Sequence, residues 1–130
     1  MAPRKNSDRL TPLETEIMNV LWEISPATVQ TVQQRLGRDL AYTTVQTMLN
    51  VLVRKKKARR TLKDRAYYYR PAVKRDQVAG SAVKELIDRL FGGSAESLVM
   101  SLVESRQLTP EKLASLQQML EAREAGDGDD

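Results

Sequence analysis

The sequence predicts a mainly α-helical fold with one small β-hairpin, and three observations support this prediction. Apolar residues recur at helical spacing in six segments, each bounded by residues that start or stop helices. Three tyrosines at residues 67–69 follow a turn-like Lys-Asp-Arg sequence at residues 63–65, which is typical of a hairpin. The net charge also changes sign along the chain, which indicates two parts with different roles.

The chain has 130 residues, which is enough for one domain, or for one small domain with an extension. It contains no His and no Cys, which excludes imidazole bases, thiolate nucleophiles, disulfides and Cys/His metal sites. No apolar run approaches the length of about 18 residues that a membrane span needs, and the N-terminus lacks an apolar signal segment. We therefore expect a cytoplasmic protein without membrane insertion, cofactor or metal ion.

The net charge of +4 hides two oppositely charged halves. Residues 1–75 hold 16 Lys and Arg against 6 Asp and Glu, whereas residues 76–130 hold 5 against 11. A basic part of this kind favours a polyanionic partner. The acidic part is expected to have another role.

Start and stop signals place the first two helices. Thr11, followed three residues later by Glu14, predicts a helix start with a capping box. Ser25-Pro26 ends this helix, Thr28 caps a second one, and Gly37 suits the position just after its end. The apolar stripes of the two helices are Leu13, Ile17, Val20, Leu21 and Ile24, and then Val29, Val32 and Leu36.

A third helix is predicted from about Tyr42, with two contrasting faces. One face is apolar and consists of Val45, Met48, Leu49, Leu52 and Val53. The opposite face carries short hydrogen-bonding groups and one cation: Thr43, Gln46, Thr47, Asn50 and Arg54. Such groups suit contacts with base edges and phosphates in a DNA major groove. The alternative is a polar surface without a partner, but three threonines (Thr43, Thr44 and Thr47) are mediocre helix formers and favour a binding role.

A basic run from Arg54 to Arg60 leads into the predicted hairpin. Three helices followed by a hairpin is the order of a winged helix-turn-helix domain, in which the hairpin, or wing, lies along a neighbouring phosphate backbone. The candidate phosphate contacts there are Arg59, Arg60, Lys63 and Arg65. The tyrosines at 67–69 are interpreted as packing residues rather than as base-stacking residues.

Three further helical segments follow, from about residue 74 to residue 124. Gly92-Gly93 ends the first, Ser94 caps the second, and Thr109-Pro110 starts the third. A unit of about 50 residues is near the lower limit for independent folding, so we interpret it as a helical dimerisation region. The alternative is that these helices fold back onto the N-terminal domain. The predicted interface residues are Val83, Leu86, Ile87, Leu90, Phe91, Leu98, Leu102, Leu113, Leu116 and Leu120.

The predicted organisation combines these parts. The ranges are a winged helix-turn-helix domain at 8–73, a dimerisation region at 74–124, and flexible tails at 1–7 and 125–130. An enzyme is not expected, because Glu14 and Glu16 lie on predicted helix surfaces without a convergent partner and the chain has no Gly-rich phosphate loop.

Seven short motifs occur in order along the chain. They are Leu10-Thr11-Pro12-Leu13-Glu14, Val20-Leu21-Trp22, Ser25-Pro26-Ala27-Thr28-Val29, Tyr42-Thr43-Thr44-Val45, Leu49-Asn50, Ala66-Tyr67-Tyr68-Tyr69 and Leu90-Phe91-Gly92-Gly93-Ser94. In this order and at this spacing, they resemble the penicillinase-repressor (BlaI/MecI) family over about residues 8–123.

This resemblance implies a homodimeric repressor that binds inverted-repeat operators near antibiotic-resistance genes. The recognition helix would run from Tyr42 to Val53, and the hairpin around Lys63 and Arg65 would be the wing. The residues that would touch DNA in the recognition helix are Tyr42, Thr43, Thr44, Gln46 and Thr47.

The resemblance also implies a switch. In the best-known members of this family, a membrane sensor metalloprotease for β-lactams triggers cleavage of the repressor in its dimerisation region, which breaks the dimer. The bond cut in the best-known members is Asn-Phe, whereas the matching pair here is Ser101-Leu102. A related branch senses copper through cysteines, which this chain lacks.

Two other functions stay open from the sequence. One is a winged-helix regulator controlled by a small molecule bound near the dimer interface, in an apolar pocket near Trp22 or between the C-terminal segments. The other is an interaction module that uses its basic half on acidic proteins rather than on DNA.

Overall fold

The computed structural model describes residues 9–128 and confirms the predicted fold class. Within these residues, helices and strands follow in this order: α1 Pro12–Ile24, α2 Val29–Arg35, α3 Tyr42–Arg54, β1 Ala58–Lys63, β2 Ala66–Pro71, α4 Arg75–Leu90, α5 Ala95–Glu104 and α6 Pro110–Gly128. The chain divides into two compact units, residues 1–79 and 80–130. This division lies inside α4, whereas the sequence places the boundary where the hairpin ends, at residues 73 and 74.

Helices α1 and α2 begin at the caps that the sequence predicts. The hydroxyl of Thr11 accepts the N–H of Glu14 at 3.1 Å, and Glu14 Oε1 accepts the N–H of Thr11 at 2.8 Å. Helix α1 ends before Pro26, and the hydroxyl of Thr28 caps α2 by accepting a backbone N–H of its first turn at 3.2 Å. Local side-chain chemistry therefore fixes where both helices start.

The turn between α2 and α3 is held by a glycine and by a side chain whose role the sequence does not reveal. Gly37 has a φ of +67° and lets the chain leave α2 in a left-handed conformation. Gln33 Nε2 then donates to the carbonyl oxygen of Leu40 at 2.8 Å. This contact fixes the last residues before Tyr42, where α3 begins.

Strands β1 and β2 form an antiparallel hairpin with a two-residue turn. Asp64 and Arg65 in the turn have φ values of +53° and +69°, which is the backbone geometry of a type I′ turn. The hairpin is anchored at its base, because Ala27 and Tyr69 exchange two backbone hydrogen bonds of 2.9 and 2.8 Å. The segment between α1 and α2 therefore extends the hairpin by one short bridge.

The core of the first unit draws on α1, α2, α3 and the hairpin. Tyr69 is 1% exposed, which confirms its interpretation as a packing residue, whereas Tyr67 is 41% exposed. The buried apolar residues are Ile17, Met18, Val20, Leu21, Ala27, Val29, Val32, Val45, Leu49, Leu52, Ala58 and Tyr69.

The expectation that Glu14 lies on a helix surface without a convergent partner is wrong. Its side chain is 2% exposed, and Lys55 Nζ donates to its two carboxylate oxygens at 2.8 and 3.0 Å. Lys55 Nζ also donates to the carbonyl oxygen of Arg9 at 2.9 Å. The capping box turns Glu14 back over the helix start, where it meets the end of α3. This buried ion pair ties the two helices together.

In the second unit, α4 ends and α5 begins at the residues that the sequence predicts. Gly92 and Gly93 have φ values of +57° and +82° and end α4, and the N–H of Gly93 donates to the carbonyl oxygen of Ile87 at 3.0 Å. Ser94 then caps α5 by accepting a backbone N–H at 3.0 Å. No side chain between residues 80 and 126 is buried.

Helix α6 extends past its predicted end. It continues to Gly128, so the part of the expected flexible tail from 125 to 128 is helical. The residues from Glu121 to Ala125 are mostly good helix formers, and each of the two glycines that follow, Gly126 and Gly128, costs only about 1 kcal/mol in a helix. The predicted tail at 1–7 and the last two residues lie outside the described residues.

Candidate nucleic-acid interface

Helix α3 presents two faces, as the sequence predicts. Val45, Leu49 and Leu52 are fully buried against the core. The other side carries five exposed side chains that form no hydrogen bond within residues 9–128: Tyr42, Thr43, Thr44, Gln46 and Thr47. Because their donors and acceptors are unused and lie together near the start of one helix, they are available to an external hydrogen-bonding partner.

Asn50 lies one turn further along this face, in a different environment. It is half-buried, and its Oδ1 accepts hydrogen bonds from the hydroxyl of Tyr69 at 3.0 Å and from Arg60 Nη1 at 2.9 Å. The sequence groups Asn50 with the base-contacting residues, because helical spacing shows which face it shares. It does not show that the hairpin covers that part of the face.

The two faces of the hairpin carry different cations. Directly opposed residues in an antiparallel pair share a face, so Arg60 lies on the same side as Tyr69, its partner in the register. Arg59 and Lys63 point to the other side. The four hairpin cations singled out from the sequence therefore do not form one row, and Arg60 faces α3.

Arg65 stands at the tip of the hairpin. Its φ of +69° places a side chain in a conformation that glycine adopts more easily, so the turn carries a guanidinium at some conformational cost. Four cations of this region are exposed: Arg54, Arg59, Lys63 and Arg65. None of the four has a carboxylate partner in the part of the chain described. These cations are therefore free to meet phosphate oxygens.

The glutamates of the first unit do not neutralise this surface. Within residues 9–79 each of them pairs with a cation that belongs neither to the hairpin nor to the exposed polar face of α3. The pairs are Glu14 with Lys55, Glu16 with Arg38, and Glu23 with Arg35. An exposed hydrogen-bonding helix face beside uncompensated cations is the arrangement expected of a surface that binds a polyanion.

A groove lies beside Trp22 in the first unit. It has a volume of about 560 Å³ and is lined by residues 71–75, Gln77 and Trp22. The indole Nε1 donates to the carbonyl oxygen of Val73 at 3.0 Å, and the guanidinium of Arg75 lies 5.3 Å from the ring centroid. The groove is open to solvent, and much of the indole is already engaged by this chain.

Residues 9–128 contain no group of three or more His, Cys, Asp and Glu side chains placed to hold a metal ion. No helix in the same range is both long and apolar enough to cross a membrane.

The sequence profile of a family described as penicillinase repressor matches residues 10–122 of this chain. The chain is 37% identical over 124 residues to the transcriptional regulator BlaI of Mycobacterium tuberculosis, a match that covers 92% of this chain and 88% of that protein. It is 26% identical over 119 residues to the penicillinase repressor of Bacillus licheniformis, covering 90% and 93%. It is 22% identical over 113 residues to the methicillin resistance regulatory protein MecI of Staphylococcus aureus, covering 85% and 92%.

Proposed function

This chain belongs to the penicillinase repressor family, and we propose that it is a dimeric, cytoplasmic repressor of transcription that binds inverted-repeat operators of antibiotic-response genes of the β-lactam type. The observation that carries this proposal is the exposed face of α3, with five unpaired hydrogen-bonding side chains next to the unpaired cations of the hairpin. No feature of the described residues offers a comparable site for catalysis.

Base contacts are assigned to α3 and phosphate contacts to the cations. A helix fits the major groove, where Thr and Gln side chains can bond base edges. Arg54, Arg59, Lys63 and Arg65 would neutralise phosphates on either side of that groove. If each complex contains six to ten phosphate contacts, raising the salt concentration from low to moderate should lower the affinity by about 10³–10⁵.

Dimerisation is assigned to the second unit. Leu90, Met119 and Leu120 are 72%, 65% and 58% exposed in the single chain, and nothing between residues 80 and 126 is buried. Three helices with exposed apolar side chains and no core of their own need a partner surface, and a second copy supplies the same apolar residues. A two-fold dimer would place two copies of α3 on the half-sites of a palindrome.

The class of regulated genes is proposed from the relatives. Two of them are called a penicillinase repressor and a methicillin resistance regulatory protein, which connects the family to β-lactam resistance. The proposal transfers this gene class to the present chain.

The full-length protein should select its binding sequence from a pool of randomised DNA duplexes at near-physiological salt. An enriched inverted repeat with half-sites about one helical turn apart supports the proposal. Binding without enrichment that vanishes as salt rises contradicts it, because only a basic surface would then remain.

Replacing Thr44 by alanine tests base contacts by α3. We expect binding to the selected operator to weaken by about 1–3 kcal/mol for each base interaction that the substitution removes, while binding to a random duplex hardly changes. Alanine is the best helix former, so the helix itself is not weakened. Kd values on both duplexes, measured by fluorescence anisotropy, check this expectation.

The matched control is Asn19→Ala, which removes an exposed polar group from α1. It should change neither Kd. An equal loss on both duplexes in the Thr44→Ala variant would argue against base contact at this position.

The finer part of the proposal is induction by proteolysis, with a membrane sensor metalloprotease as the partner. Ser101 and Leu102 lie in α5 and are half-buried, so the helix must open locally before a protease can hold the chain in an extended form. We expect immunoblots of induced cells to show a fragment that ends near Ser101. Only full-length protein while the target gene is active would contradict cleavage.

A second candidate is control by a small molecule. The groove beside Trp22 favours it, because an indole and the cation of Arg75 could hold a small amphipathic anion. A thermal-shift screen of such compounds, repeated on Trp22→Phe, separates this mode from proteolysis.

A further inference from the structure

We propose that Asn50 is a positioning residue that locks the hairpin to helix α3, so that the hairpin tip and the exposed face of α3 engage one duplex together. This inference rests on the proposed DNA-binding function. It assigns Asn50 a role that its place on the helix face does not suggest, since its amide oxygen acts inside the protein.

The lock consists of one acceptor and two donors. Asn50 Oδ1 accepts from the hydroxyl of Tyr69 at 3.0 Å and from Arg60 Nη1 at 2.9 Å. An amide oxygen has two lone pairs, so these bonds use its full capacity. The two donors come from directly opposed positions on β1 and β2, so a single side chain of α3 holds both strands.

The donors are themselves held in place. Tyr69 is 1% exposed, and its backbone exchanges two hydrogen bonds with Ala27. The guanidinium of Arg60 lies over the ring of Tyr67, 4.2 Å from its centroid. Neither donor can follow Asn50 into another arrangement without breaking these contacts, and the lock is therefore rigid on the hairpin side.

The distance between the lock and the hairpin tip determines how far the tip moves when the hairpin rotates. Arg60 lies four residues before Asp64 in the turn, and at about 3.3 Å per residue the tip lies about 13 Å beyond the lock. A rotation of the hairpin by about 10° would move the tip by about 2 Å. That displacement is several times the spread of hydrogen-bond lengths, so Arg65 would have to rearrange its side chain, at a cost in rotamer freedom, to keep a bond to the same phosphate.

The test is whether the contribution of the tip depends on the lock. Arg65→Gly removes the guanidinium and suits the left-handed backbone of the turn. It should be made in the full-length protein and in four further backgrounds: Tyr69→Phe, Asn50→Ala, Asn50→Asp and Tyr68→Phe. The Kd for the selected operator is measured over a range of salt concentrations for all ten proteins.

In the wild-type background, we expect Arg65→Gly to weaken binding by about tenfold or more, and to reduce the salt slope by about 0.9 for each phosphate that is no longer neutralised. In the Asn50→Ala background, both bonds of the lock are lost and the tip no longer reaches its phosphate. The same substitution should therefore change Kd there by less than about threefold and leave the slope nearly unchanged. In the Tyr69→Phe background the bond from Arg60 remains, so the effect of Arg65→Gly should lie between its effects in the wild-type and Asn50→Ala backgrounds.

Two backgrounds keep the test specific. Asn50→Asp retains an oxygen acceptor for both donors, so the full effect of Arg65→Gly should return in this background. Any uniform repulsion between the added negative charge and DNA cancels when the Kd values with and without Arg65→Gly are compared within this background. Tyr68→Phe removes a hydroxyl from the neighbouring tyrosine on the other face of the hairpin, where it forms no bond to Asn50. It should leave the effect of Arg65→Gly intact.

Equal effects of Arg65→Gly in the wild-type, Tyr69→Phe and Asn50→Ala backgrounds would overturn the inference, because the lock would then matter only for stability. If Tyr69→Phe does not fold, as judged by Trp22 fluorescence, the two variants at the half-buried Asn50 decide alone. A wild-type protein that selects no operator would instead overturn the proposed function, and the two failures are therefore distinguishable.

Discussion

The double substitution Leu116→Glu and Leu120→Glu is expected to convert the proposed dimer into monomers and to lower operator affinity by about 10²–10⁴. These side chains are 43% and 58% exposed in the single chain, one turn apart on α6. Glutamate there would have to be desolvated against the apolar residues of a second copy. Loss of the proposed dimer would remove half of the DNA contacts without altering any residue that is assigned to DNA contact.

Analytical ultracentrifugation gives the oligomeric state, and a Kd on the selected operator gives the affinity. The matched control is Gln118→Glu, which adds one negative charge, against two in the double variant, to the same helix on roughly the opposite side. It should stay dimeric and bind normally. If the double variant also stays dimeric, other residues carry the association, and the assignment of Leu116 and Leu120 to the interface is wrong.

Binding of isolated half-sites should distinguish dimer loss from unfolding. The first unit has its own core, and Trp22, the one tryptophan of the chain, packs against it. An unchanged Trp22 emission spectrum in the double variant would show that the DNA-binding unit remains folded. Its affinity for a single half-site should then equal that of the wild-type protein under dilute, monomeric conditions.

Much of the fold is predictable from the sequence because it is decided locally. The caps at Thr11, Thr28 and Ser94 each satisfy backbone donors within three residues, and their residue types indicate the helix starts. The two-residue turn at Asp64-Arg65 follows from the length of the connection between two strands. Helical periodicity likewise separates the buried and exposed faces of α3 correctly.

The missed roles of Glu14 and Asn50 depend on partners that are distant in sequence. Glu14 meets Lys55 across 41 residues, and Asn50 meets Tyr69 across 19. Periodicity shows that both residues lie on a given face of a helix, but not which element packs there. A polar residue on a mixed face is therefore assigned to solvent or ligand by default, and the structure instead places each of these two between elements.

Replacing Glu14 by alanine is expected to destabilise the first unit by about 3–5 kcal/mol. The change leaves the ammonium of Lys55, whose side chain is only 19% exposed, without its charged partner, and it also removes half of the capping box of α1. Domains of this size have a total stability of about 5–15 kcal/mol, so the loss is a large fraction of it. Urea unfolding followed by Trp22 fluorescence measures it as a shift in midpoint.

The exposed pair between Glu16 and Arg38 supplies the control. Its side chains are 41% and 50% exposed, and Glu16→Ala should therefore cost no more than about 1 kcal/mol although the ion pair is 2.7 Å long. Combining Glu14→Leu with Lys55→Met removes both charges at once, and this double variant should be more stable than Glu14→Ala, because no unpaired charge is left. If all three variants lose the same stability, charge pairing is not what holds α1 to the end of α3, and the capping bonds and apolar packing must account for that contact instead.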